Sequence, residues 1–69
     1  MMSTFLCTWS VADQNGQPQT YFDKQAGVHK IKRFKQAYRD YTRNGALRQL
    51  RAEYGDQVNL VKVNCEKVY

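Results

Sequence analysis

A chain of 69 residues with 42% hydrophobic content, one Trp, five Tyr and three Phe is long enough for one small domain, 1–69, and too apolar to remain disordered. A domain of this size removes only about 60% of its unfolded surface from water, so its core is thin and a partner or second copy would add useful burial. No run reaches the roughly 18 apolar residues of a membrane span, and the first residues lack the basic and long apolar regions of a secretion signal, so the expectation is a cytoplasmic protein without membrane contact.

Phe5, Cys7, Trp9 and Val11 alternate with Leu6, Thr8, Ser10 and Ala12, the period of a strand with one buried face. Asn15-Gly16 follows within the polar run Asp13 to Pro18; both residues tolerate positive φ, which makes the pair a strong hairpin signal. Thr20-Tyr21-Phe22 reads as a short second strand antiparallel to the first, and Pro18 places it at an edge. Asp23 is suited to cap a helix. Val28, Ile31, Phe34, Tyr38 and Tyr41 recur every three or four residues after it, as on one face of an amphipathic helix, and Asn44-Gly45 is a natural helix stop.

Leu47, Leu50 and Tyr54 suggest a second, shorter helix ending at Gly55. The segment from Val58 to Tyr69 reads as a third strand with Val61, Val63 and Cys65 on its buried side, paired with the first. The expected fold is therefore α+β: a three-stranded antiparallel sheet, elements in the order β-β-α-α-β, with two helices packed on one face.

Charge is unevenly distributed. From Lys24 to Arg51 there are nine Lys/Arg and one acid, Asp40, a local +8; elsewhere Lys62 and Lys67 face Asp13, Asp23, Glu53, Asp56 and Glu66, a local −3 that brings the total to +5. On the expected first helix, Lys32, Lys35, Arg39 and Arg43 form a stripe beside the apolar face, with Arg48 and Arg51 on the next helix. Like charges on successive turns destabilise a helix, so an uncompensated stripe points to an anionic partner, with DNA or RNA the first expectation. Long basic side chains also serve as an ordinary solvated surface.

The alternative is a protein-interaction adaptor or inhibitor of the phage or mobile-element accessory kind, acting on an acidic protein surface or by self-association as a homodimer. Its candidate surface is the sheet face away from the helices, with Leu6, Thr8, Ser10, Leu60 and Lys62, where the two leucines would form an apolar patch. Tyr21, Phe22, Tyr38, Tyr41, Tyr54 and Tyr69 are interleaved with the cations. Such rings either stack unpaired bases or close the core margin with the hydroxyl in water; the spacing of Tyr38 and Tyr41 assigns those two to the core, and Tyr69 is the freest.

Catalytic equipment is sparse. His29 is the only imidazole, the acids are scattered singly, and phosphate-loop and metalloprotease motifs are missing from the sequence, so the expectation is a non-enzymatic protein without cofactor or metal. Cys7 and Cys65 lie near opposite ends with no metal-ligand spacing. In a cytosolic setting they are expected as reduced, packed thiols, a bridge between the termini being the competing arrangement.

Overall fold

The computed structural model describes residues 1–56 and 58–69. Among these residues the elements follow in the order β1 (Ser3–Val11), β2 (Thr20–Asp23), β3 (Val28–Ile31), β4 (Phe34–Asp40), α1 (Arg43–Leu50) and β5 (Leu60–Lys67). The class is α+β. A three-stranded antiparallel sheet has the order β4-β1-β5, and β2 and β3 form a separate two-stranded sheet. The molecule measures 45 × 26 × 13 Å along its principal axes, thin because one helix layer covers one sheet.

β1 is the central strand, as its long alternation requires. Phe5 lies opposite Tyr38 and Trp9 opposite Phe34 on β4, while Cys7 lies opposite Cys65 on β5. Phe5, Cys7, Trp9, Tyr38 and Cys65 are buried against Ala46 and Leu50 of α1, with Val11, Leu47, Tyr54, Leu60 and Val63 around the margin. The pairing of the first and last strands was expected from the sequence and is observed.

The expected first helix is absent: its residues form β3, β4 and the connection between them. Val28, Ile31, Phe34 and Tyr38 are β-branched or aromatic, types that favour a pleated surface over a helix. Phe34 and Tyr38, four apart, share a strand face as readily as a helix face. Gly27, at φ 71°, ends a turn rather than opening a helix. Among the described residues a single helix, α1, covers the sheet and runs directly into a π-helical turn at Arg51–Gly55. The second strand also exists, but it pairs with β3; the chain leading into it meets the end of β1 through the Ala12–Pro18 bridge, the Gln19 N–H donated to the Val11 carbonyl and the Gln19 side-chain amide donated to the Ala12 carbonyl.

α1 begins where Asn44-Gly45 was expected to stop a helix. Thr42 is the N-cap, its hydroxyl accepting from the Gly45 N–H at 2.9 Å, a standard way of satisfying an orphan donor. Asp40 accepts from the Tyr41 and Thr42 N–H groups and from the Gln49 amide. A β-carbon at position 45 would overlap the Asp40 carboxylate, so glycine is here for space. Arg43 donates from Nε to the Cys65 carbonyl at 2.8 Å and ties the helix start to β5.

Cys7 and Cys65 are joined by a disulfide across β1 and β5, correcting the expectation of two free thiols. Both half-cystines are almost fully buried. The physical reason is register: each strand turns its cysteine to the core, and the pairing sets the two directly opposite one another.

The β1/β5 register slips between Thr8 and Ser10, where Lys62 and Val63 together face Trp9, a β-bulge. Lys62 carries it at φ 52°, a left-handed conformation that costs an L-residue roughly 1–2 kcal/mol. Lys62→Gly is expected to raise stability by about 0.5–1 kcal/mol after the greater chain entropy of glycine is offset, measured as a higher urea midpoint with unchanged slope. No helix among the described residues is long and apolar enough to cross a membrane.

Candidate nucleic-acid interface

The basic run is displayed on strands. β2 and β3 form an arm whose turn, Lys24 to Gly27, is held by Asp23: its Oδ1 accepts from the Gln25 and Ala26 N–H groups, and its carbonyl accepts from Gly27 N–H at 2.8 Å. This is the chemistry read from the sequence as a helix cap, applied to a hairpin. Asp23 Oδ2 also pairs with Lys30 Nζ at 2.8 Å.

That lysine hydrogen bond, followed by the Ala26 N–H, holds the Asp23 carboxyl below its ordinary pKa. The Gln49 amide, followed by the Thr42 N–H, does the same for Asp40. Folding lowers both values, so this support is fully present above the ordinary carboxylate pKa and is lost as pH falls through the lowered ones.

Cross-strand partners share a face of the arm. Thr20 with Ile31 and Phe22 with His29 lie on one side; Tyr21 with Lys30 and Asp23 with Val28 lie on the other. Phe22 and His29 meet edge to face at 5.2 Å between ring centroids. Phe22 and Val28 are about half exposed, at 53% and 50%, and Tyr21 and Ile31 are also open. Lys32 and Arg33 connect the arm to β4, with Lys32 N–H donating to the Gln19 carbonyl at 2.9 Å.

On β4, Phe34 stacks on Trp9 and Tyr38 is buried, so Lys35, Ala37 and Arg39 alternate onto the sheet face opposite α1, beside Thr8, Leu6 and Thr4 of β1. Lys32, Lys35 and Arg39 thus remain exposed along one stretch of chain, as strand and connection residues. Arg43 is engaged with β5. Arg48 and Arg51 are exposed on the helix layer, on the other side of the sheet from Lys35 and Arg39. The six expected contact residues do not form one stripe. Lys30 and Arg33, which the helical reading left off that stripe, join the β-displayed cations.

The opposite sheet face is also less apolar than expected. The bulge at Lys62 returns Leu60 to the core side, where it packs with Val11, and Ser10 is fully buried. Leu6 and Thr8 are half-buried and Lys62 is exposed; Glu66 and Asn64 lie opposite them on β5. No Leu6–Leu60 patch forms, because the two side chains lie on different faces.

Among the tyrosines, Tyr38 is buried as expected, whereas Tyr41 is 69% exposed because the chain leaves the sheet there. Burial, reinforced by the nearby Glu53 charge, pushes the Tyr38 phenol up to about 12. Trp9, Val11, Phe34, Tyr54 and Val58 line a wholly apolar depression of about 170 Å³ at the end of the core. Among the described residues, no cluster of three or more His, Cys, Asp or Glu is placed to hold a metal ion. The chain matches no family model, no curated protein and no solved structure.

Proposed function

We propose that this protein is a non-enzymatic nucleic-acid-binding module whose contact surface is the β2–β3 arm and the adjoining β4. One observation carries the reading. From Lys30 to Arg39 the chain holds Lys30, Lys32, Arg33, Lys35 and Arg39 and no acid. All five are exposed, and among the described residues only Lys30 is in an ion pair. Lys30 stands on the arm, Lys32 and Arg33 at its base and Lys35 and Arg39 on β4; cations spaced in this way along the chain are suited to neutralising successive phosphates, and the two-stranded arm is slim enough to approach a nucleic-acid groove.

Arg43 is excluded from the contact set because it holds α1 to β5. The test is binding to labelled DNA and RNA across a salt series, for wild type, a Lys32→Ala/Arg33→Ala/Lys35→Ala/Arg39→Ala variant and an Arg48→Ala/Arg51→Ala variant. Wild-type affinity should fall linearly with log salt. The fourfold variant should lose roughly 10²–10³-fold near 0.15 M salt and reduce the slope by about 3, with the helix-side variant close to wild type. Absence of binding near 0.15 M, or equal loss in both variants, overturns the reading.

A protein partner is the second reading, favoured by one observation. β4 is an edge strand, and its outer side pairs with no other strand among the described residues. An acidic extended segment could add there as a fourth strand, with Lys35 and Arg39 meeting its charges.

A further inference from the structure

Resting on the nucleic-acid reading, we infer that the β2–β3 arm is a stacking arm for unpaired bases, so that the ligand class is single-stranded DNA or RNA. The arm has no core of its own. Of its strand residues only Asp23 is even half-buried, and a two-stranded ribbon alone is marginally stable in water. A ribbon serving only as a linker between β1 and β4 would carry polar side chains on at least one face. This one presents Phe22, His29 and Ile31 with only Thr20 beside them on one face, while exposed Tyr21 and Val28 share the other with the Asp23–Lys30 pair.

The cross-strand contact of Phe22 with His29 accounts for part of this composition, because such pairs steady a hairpin. It does not account for Tyr21, Val28 or Ile31. Lys24 lies in the turn beyond the Phe22–His29 pair, and Lys32 and Arg33 lie at the arm's base. The Phe22–His29–Ile31 face carries no Lys, Arg, Asp or Glu, and with Lys24 beyond its tip and Lys32 and Arg33 at its base it suits a polyanion that also offers flat apolar faces.

Single strands have that chemistry. In a duplex the base faces are stacked internally, and groove readers reach base edges through polar and charged side chains. Aromatic rings beside a basic track instead stack successive unpaired bases with little sequence preference. A second copy of the arm is a poorer occupant, since face-to-face contact would bring Lys24, Lys32 and Arg33 of each copy toward the same cations of the other.

The experiment compares three probes at fixed salt: a 20-nucleotide single strand, the same length of abasic backbone, and a 20-base-pair duplex. Each is titrated with wild type, with a Tyr21→Ala/Phe22→Ala variant of unchanged circular dichroism, and with the fourfold cation variant. Wild type should prefer the single strand over the abasic backbone by about 10–100-fold. The aromatic variant should lose that preference while keeping its abasic affinity and salt slope. Equal binding of single strand and abasic backbone by wild type, a duplex preference, or an aromatic variant that keeps the preference overturns the stacking arm and leaves the polyanion reading standing. Failure to bind any probe overturns both. The wild-type comparison needs no mutant to fold.

Discussion

Reducing the Cys7–Cys65 bridge is expected to lower the melting temperature by roughly 15–30 °C. The two half-cystines are 58 residues apart, so the bond removes loop-closure freedom from most of the unfolded chain. The chain-entropy relation gives about 4 kcal/mol for a loop of that length. A domain of this size has a total stability of only about 3–10 kcal/mol. The check is a thermal melt by circular dichroism with and without a reductant, repeated on a Cys7→Ala/Cys65→Ala variant. The variant should melt near the reduced wild type and be indifferent to reductant. A shift below a few degrees in wild type would show that the strand register alone carries the β1/β5 pairing.

Truncating Trp9 to alanine is expected to cost about 3–5 kcal/mol. The indole is 5% exposed and stands between Phe34, stacked at 6.0 Å, and Tyr54, tilted at 5.2 Å. It therefore joins the central strand to β4 and to the π-helical turn. The apolar depression lined by Val11, Phe34, Tyr54 and Val58 already opens beside it, so the lost volume would merge with an open site instead of closing by collapse. Urea unfolding followed by far-ultraviolet circular dichroism measures the effect, since the only indole is removed. Trp9→Phe should retain more than half of the lost stability. A cost below about 1 kcal/mol for Trp9→Ala would mean that Phe34 and Tyr54 close over the gap.

The parts of the fold legible in the sequence are those with one available period. Phe5 to Val11 alternates over a length no helix would share, and Asn15-Gly16 has a turn chemistry without a close competitor. Leu47, Leu50 and Tyr54 keep helical spacing without β-branched residues between them. The stretch from Val28 to Tyr41 invites a helical reading because its apolar spacings of three and four are those of a helix turn; on strands only the spacing of four between Phe34 and Tyr38 keeps one face. The discriminating signal was side-chain type: Val28, Ile31, Phe34 and Tyr38 are strand formers, and Lys32-Arg33 separates two short runs.

The basic character of the candidate surface was legible from charge alone. Its geometry was not, because the choice between helix and ribbon decides whether Arg43, Arg48 and Arg51 share a face with Lys35. The disulfide required register, which neither cysteine's local sequence contains. The bulge at Lys62 was hidden for a related reason: nothing in Leu60-Val61-Lys62-Val63 announces a left-handed lysine, yet that residue decides which side Leu60 faces.

The position of β1 between β4 and β5 also sets the order in which the molecule can assemble. The arm closes over a four-residue turn and is free to form early, on the microsecond scale of hairpins. The core sheet joins Trp9 to Phe34 and Cys7 to Cys65, contacts between distant parts of the chain that slow folding. During synthesis β1 emerges before its two partners; one edge can be taken by β4, and the other stays unsatisfied until the residues of β5 have been made. The earliest structure on the growing chain is thus the basic aromatic arm, while the hydrophobic strand behind it is still seeking its last partner.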